Sequence, residues 1–158
     1  MDAASFHARC DGRGPTLTVA RTAAGHVLGG YAAASWETPA ETYGKSVAAP
    51  GSFLFALRCA AAGLPPTRLA LRDAGGDGGG GGGGGGGGEK ALCMHEDYGP
   101  TFGEYGSELC LLLNGDPADC VTTVVTTYAP PPGQADPHFL TGAKQFTVAE
   151  VEVFRVRA

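Results

Sequence analysis

The sequence of this 158-residue chain predicts an antiparallel β-sandwich or barrel. About seven or eight short segments are either continuously apolar or alternate between polar and apolar residues, as strands do. Clusters of glycine and proline separate these segments, and no long stretch has a convincing helical periodicity. Strands that follow one another at such short spacing favour antiparallel pairing over a parallel α/β arrangement.

The first two predicted strands form a hairpin. Residues Thr16–Thr22 alternate between polar and apolar side chains, which indicates a strand with one solvated face. The second segment, Val27–Trp36, carries no charged side chain on either face. We therefore predict that this second segment is a central strand covered on both sides.

Two adjacent glycines, Gly29 and Gly30, interrupt the central strand. Glycine weakens a strand interior unless another group must approach the backbone closely there. We therefore expect aromatic side chains of neighbouring elements to pack over these glycines. The buried strand predicted at Ser52–Leu57 supplies Phe53 and Phe55, which share one face.

Low-complexity sequence divides the chain near its middle. Eleven consecutive glycines, Gly78–Gly88, favour a disordered insertion over residues 73–90 between two strands. A nucleotide-binding loop is excluded because no strand-to-helix context surrounds the glycines. Residues 37–51 are predicted to be a long surface loop, and Pro65 and Pro66 exclude a continuous helix over residues 60–76.

The second half of the chain contains four further predicted strands, at Lys90–His95, Glu108–Asn114, Val121–Tyr128 and within Phe139–Val156. The segment Val121–Tyr128 is β-branched almost throughout, which is typical of strands. In the last segment the apolar alternation changes phase between Val148 and Val151. That change predicts a β-bulge near Ala149 and Glu150.

Composition narrows the classes of partner and the cellular location. Eleven basic and sixteen acidic residues give a formal net charge of -5, which argues against nucleic acid or an anionic membrane as partner. No apolar run approaches the roughly 20 residues of a membrane helix, and the N-terminus lacks a secretory signal pattern. The odd number of cysteines, without a C-x-x-C motif, fits reduced thiols. We therefore expect a cytoplasmic protein without membrane insertion.

The residues that could carry chemistry do not combine into a recognisable site. Cys93 and His95 share a strand face, but no second pair completes a zinc site, so we predict neither metal nor cofactor. Glu150 and Glu152 share a face of the last strand, either as a functional carboxylate pair or as part of a solvated surface. A redox-active cysteine such as Cys10 or Cys93 stays open as an alternative.

The Gly-Pro turn near residue 100 is flanked by three aromatic residues, Tyr98, Phe102 and Tyr105. These side chains could form a contact patch for a partner, or they could cap the core of the sandwich. The acidic residues around them, Glu96, Asp97, Glu104 and Glu108, are predicted to be charges of loops and strand edges.

Together these stretches resemble the TLDc domain. The resemblance covers nearly the whole chain, in the order of the family. The matching stretches are Cys10–Val19, His26–Tyr31 with Ser35 and Trp36, Ser52–Leu57, Gly99–Gly103 with Glu108 and Leu109, and Leu140–Phe146 continuing through Glu150–Phe154.

The resemblance implies a two-sheet antiparallel β-sandwich with short flanking helices. It also implies a non-enzymatic protein-binding role, linked to oxidative-stress protection and to regulation of the vacuolar-type proton ATPase. The family-motif positions, expected to be structural or partner-binding, are Gly29, Gly30, Trp36, Ser52, Phe53, Phe55, Pro100, Phe102, Gly103 and Glu150.

The family normally begins further upstream than this chain does. We therefore expect either an N-terminally truncated domain or a minimal version with an exposed edge, spanning residues 1–158. Two alternatives to the binding role stay open, namely a cysteine-based redox protein or enzyme, and a truncated copy without activity of its own.

Overall fold

The strands of the computed structural model form two antiparallel sheets. The structure describes residues 1–40, 44–59, 63–73, 87–111 and 116–157. Most of the predicted insertion at 73–90 therefore lies outside the described residues, as does the end of the predicted strand Glu108–Asn114. Within the described residues, the strands make one five-stranded and one six-stranded sheet, which confirms the two-sheet β-sandwich.

The five-stranded sheet contains the predicted hairpin. Its strands are β1 (Thr16–Thr22), β2 (Val27–Ala32), β4 (Phe53–Arg58), β5 (Thr67–Ala70) and β11 (Val148–Arg155), in the spatial order β11-β1-β2-β4-β5. The strand β2 lies at the centre, as expected, but it ends at Ala32 rather than at Trp36. Its outer face is only partly covered, because Val27 and Tyr31 are half-buried.

The six-stranded sheet is built from shorter strands. They are β3 (Lys45–Val47), β6 (Leu92–Met94), β7 (Thr101–Phe102), β8 (Leu109–Cys110), β9 (Cys120–Val121) and β10 (Gln145–Phe146), in the spatial order β10-β9-β8-β7-β6-β3. Two short 3-10 turns, Gly87–Lys90 and Glu104–Gly106, accompany this sheet. The predicted strand Val121–Tyr128 is wrong beyond Val121, where the chain leaves the sheet.

The predicted terminal strand is divided between the two sheets. Strand β10 belongs to the six-stranded sheet and β11 to the five-stranded sheet, and only Thr147 separates them. The predicted bulge is present: Thr22 pairs with Val148 and Arg21 with Glu150, which leaves Ala149 without an opposite residue on β1.

A short helix, α1 (Ala3–Cys10), precedes the first sheet. Asp2 caps this helix. Its side chain accepts a hydrogen bond from the Ser5 amide, and the Ser5 hydroxyl in turn accepts one from the Asp2 amide. These hydrogen bonds lower the pKa of the Asp2 carboxyl. Phe6, a residue of this helix, is fully buried and packs edge-on against Trp36. The helix therefore covers one end of the core.

One apolar cluster lies between the sheets and draws on both of them. Burying each large apolar side chain contributes about 1.5–3 kcal/mol, so this cluster is the main stabilising element. Its largest members include Phe6, Leu28, Trp36, Leu54, Leu69, Leu92, Phe102, Leu109, Tyr128 and Phe139.

Candidate functional site

A fully buried carboxylate organises two neighbouring loops of the six-stranded sheet. Glu108 immediately precedes β8 and has no solvent-exposed surface. Glu108 lies at the end of a strand, as predicted, but the expectation that its charge is solvated is wrong. A buried charge is costly unless hydrogen bonds satisfy it, so the surroundings of this side chain must supply donors.

The donors come from the loop that follows β9. One carboxylate oxygen of Glu108 accepts hydrogen bonds from the Thr126 amide (2.5 Å), the Thr126 hydroxyl (2.9 Å) and the Thr127 amide. The other oxygen accepts from the Tyr128 amide at 2.8 Å. Among the described residues, no basic side chain forms an ion pair with Glu108. The loop amides therefore stabilise the negative charge.

The loop between β7 and β8 lies directly against this carboxylate. A β-carbon at Gly103 would stand 2.8 Å from the Cγ atom of Glu108, so only glycine fits. The Glu104 amide donates a hydrogen bond to the Thr127 hydroxyl at 3.2 Å. Lys90 donates to the Glu104 carboxylate, and this hydrogen bond raises the pKa of the lysine. These contacts hold the two loops side by side.

At the tip of this fixed loop, Tyr105 points into solvent. Its side chain is 80% exposed, and its backbone has φ 53°, the only positive φ of a non-glycine residue among those described. The left-handed region is unfavourable for a bulky residue and persists only where the surrounding structure imposes it. Tyr105 is therefore held in position at an energetic cost while its ring stays free for contact.

A second exposed apolar residue lies on the partner loop. Val125 is 45% exposed and precedes Thr126, whose amide binds Glu108. We call the exposed Tyr105, on the loop that Gly103 and Glu108 hold in place, the Tyr105 patch. Exposed aromatic residues on a rigid support are typical of surfaces that bind other proteins.

The three aromatic residues predicted around the Gly-Pro turn do not form one unit. Phe102 is fully buried in the core, whereas Tyr98 stacks on the His95 ring with centroids 3.9 Å apart. Only Tyr105 is exposed. Neither single prediction, a contact patch or a cap on the core, holds for all three residues.

Three family-motif positions, Gly30, Trp36 and Phe102, meet inside the core. Phe102 packs edge-on against Trp36 with centroids 5.6 Å apart, and its ring fills the space above Gly30. The Phe55 ring covers Gly29 on the other face of β2. Phe53, which we expected beside the glycines, instead stacks on Tyr31.

The remaining motif positions lie apart from this cluster. The buried Ser52 hydroxyl accepts a hydrogen bond from the Ala33 amide, and the Pro100 carbonyl accepts one from the Leu111 amide. Glu150 is exposed on the five-stranded sheet and forms an ion pair with Arg21 at 3.2 Å. Most motif positions thus serve packing and backbone geometry, and Glu150 alone among them is exposed.

The cysteines lie in the interior of the protein. All five are buried. Burial raises the pKa of the Cys10 and Cys93 thiols, and it raises the pKa of Cys110 to about 12. No cluster of three or more histidine, cysteine, aspartate or glutamate side chains suited to a metal occurs in the described part of the chain. In the same ranges, no helix is long and apolar enough to cross a membrane.

The sequence analysis placed Glu108 in a matching stretch without recognising it as a buried carboxylate, and it left the exposure of Tyr105 open. A glutamate that directly precedes an apolar run, followed later by a run of threonines, is the only signal in the sequence for the buried carboxylate. This signal can be recognised only if the threonine-rich segment is interpreted as a source of amide and hydroxyl donors rather than as a strand.

The comparisons with known proteins identify a family for this chain. No curated protein matches the chain. The family model of the TLDc domain matches residues 1–157, nearly the full length. The chain therefore belongs to the TLDc domain family.

Proposed function

We propose that this protein is a non-enzymatic binding module that docks to another protein through the Tyr105 patch. The observation that carries this proposal is the combination of 80% exposure and positive φ at Tyr105. A strained backbone that presents an aromatic ring to solvent has no benefit for folding, so we assign its benefit to recognition.

The proposed partner is the vacuolar-type proton ATPase in the cytoplasm, in a role connected with protection against oxidative stress. The support for this partner is membership in the TLDc family, which the resemblance links to that pump. The burial of all five cysteines favours indirect protection through binding over direct thiol chemistry.

The test is retention of the purified cytosolic sector of the proton ATPase on the immobilised chain, with ATP hydrolysis measured on the same samples. We expect the wild-type chain to retain the sector and to change its hydrolysis rate. Tyr105→Ala is expected to weaken retention about tenfold or more, as the loss of an aromatic anchor does.

Leu57→Ala is the matched control, because Leu57 is an exposed apolar residue (52%) on the five-stranded sheet. This variant is expected to bind as the wild type does. Absence of retention by the folded wild-type chain would overturn the proposed partner. Equal retention of the Tyr105→Ala and wild-type chains would overturn the proposed docking surface.

A further inference from the structure

Strand β11 is a long edge strand, and the described residues cover its outer side only at Val148, whose amide donates to the Pro117 carbonyl. It has eight residues and pairs only with β1. The other sheet edges are short or protected: β3 and β10 have three and two residues, and hydrogen bonds from Ala129 and to Thr127 cover the free side of β5. Proteins normally blunt a long free edge, because it is a template for pairing with another chain.

The backbone groups on the free side of β11 can be identified from its pairing. The Val156 amide donates to the Pro15 carbonyl, on the β1 side. Since successive residues of a strand direct their polar backbone groups to opposite sides, those of Val151, Val153 and Arg155 point away from β1. Within the described ranges, none of these three residues forms a backbone hydrogen bond on that side.

A groove of about 380 Å³ runs beside this edge, between α1 and β11. Its apolar lining includes Cys10, Val151 and Val153, which are buried or half-buried. An edge strand beside a helix is the geometry in which several recognition domains add an extended peptide to their sheet.

The groove has a charge opposite to that of the chain as a whole. It contains three arginines, Arg9, Arg13 and Arg155, and a single acidic residue, Glu152. Among the described residues, none of these three arginines is held in an ion pair. The chain overall carries a net charge of -5. Electrostatic complementarity of this kind selects an acidic partner.

We propose that β11 and this groove bind an extended acidic segment of a partner protein, which adds to the five-stranded sheet as a further strand. Alternate side chains of that segment enter the apolar groove, and its carboxylates pair with the arginines. A second copy of this chain is the other occupant that a free edge admits, and the test below distinguishes it from an acidic segment. This surface is distinct from the Tyr105 patch.

The proposal can be tested with three fluorescein-labelled octapeptide probes, measured by fluorescence anisotropy against the full chain. The first alternates valine and glutamate, the second alternates valine and lysine, and the third is the glutamate probe methylated on alternate backbone nitrogens. We expect the glutamate probe to bind at least about tenfold more tightly than either of the others, and its affinity to fall with added salt.

Variants and hydrogen exchange locate the binding. Arg13→Glu is expected to weaken the glutamate probe about tenfold, whereas Arg58→Glu, an equal charge change at an exposed position of β4, leaves it unchanged. Tyr105→Ala is also expected to leave it unchanged. The bound probe should slow amide exchange at Val151, Val153 and Arg155.

Four results would overturn the proposal. Equal binding of the glutamate and lysine probes would exclude charge recognition. Unchanged exchange at the three amides, or equal binding of the methylated probe, would exclude strand addition. Concentration-dependent dimerisation that competes with the probe would assign this edge to a second copy of the chain.

Discussion

The ring of Phe102 occupies the space that a side chain at Gly30 would need. A β-carbon built at residue 30 would stand 2.6 Å from the Cζ atom of Phe102. The two residues belong to opposite sheets, so this contact sets how closely the sheets approach at the centre of the core. The phenylalanine in turn packs edge-on against Trp36.

We predict that Gly30→Ala destabilises the domain. The extra methyl group cannot be accommodated without moving Phe102, and such overpacking costs about 1–3 kcal/mol. Urea unfolding followed by tryptophan fluorescence measures the loss directly. Gly88→Ala is the control, since a β-carbon there meets no atom within 4 Å, and it is expected to be neutral. Equal midpoints for the two variants would contradict the close contact.

The buried carboxylate gives a second prediction. Glu108→Gln should lower the free energy of unfolding by about 1–3 kcal/mol, because the amide nitrogen donates where an acceptor is required. Glu96→Gln, at an exposed position nearby in sequence, is the control and should have little effect. Chemical denaturation of both variants checks this. A Glu108→Gln chain as stable as the wild type would show that the loop amides do not depend on the charge.

We predict that Tyr105 strengthens partner binding but lowers the free energy of unfolding. Replacing it with glycine removes the left-handed strain, and we expect the free energy of unfolding to rise by up to about 1 kcal/mol. The same variant should bind the proposed partner as weakly as Tyr105→Ala. Thermal unfolding and the retention measurement, carried out on one preparation, test both effects. A destabilised Tyr105→Gly chain would show that the ring supports the fold instead.

Alkaline pH should destabilise the protein through Cys110. Burial raises the pKa of this thiol to about 12 from 9.0. Between these values the folded state keeps a proton that the unfolded state loses. Stability is therefore complete below pH 9 and falls as the pH rises, by about 1.4 kcal/mol per pH unit for one group. The free energy of unfolding, measured between pH 9 and 12, should fall less steeply with pH for Cys110→Ala than for the wild type. Parallel curves of free energy against pH for the two proteins would refute the role of Cys110.

The sequence predicted the five-stranded sheet better than the six-stranded sheet. The alternation in Thr16–Thr22 and the apolar run in Ser52–Leu57 correspond to strands that lie between two neighbours in the sheet. In both segments the local sequence pattern and the tertiary structure therefore agree. The strands of the six-stranded sheet have two or three residues each, too few for a period to appear. The β-branched segment after Val121 shows most clearly where prediction from local sequence fails. Its amides donate hydrogen bonds to Glu108 instead of to a neighbouring strand, so this tertiary contact overrides the strand propensity.

The candidate site was less predictable for a related reason. The glycines and aromatic residues of the motif were identified, but the difference between Phe102, which is buried, and Tyr105, which is exposed, depends on contacts between distant loops. A positive φ at a tyrosine has no local signature in the sequence. Likewise, the arginines beside β11 come together only because α1 and the last strand meet.

The pairing of β1 with β11 affects how the protein can be made. During synthesis, the hairpin of β1 and β2 leaves the ribosome early, whereas the other neighbour of β1 is β11, the last of the described strands. Until then, one side of β1 has no partner and can pair with other nascent chains. The five-stranded sheet is therefore completed only after β11 has been synthesised, and its many long-range contacts favour slow folding.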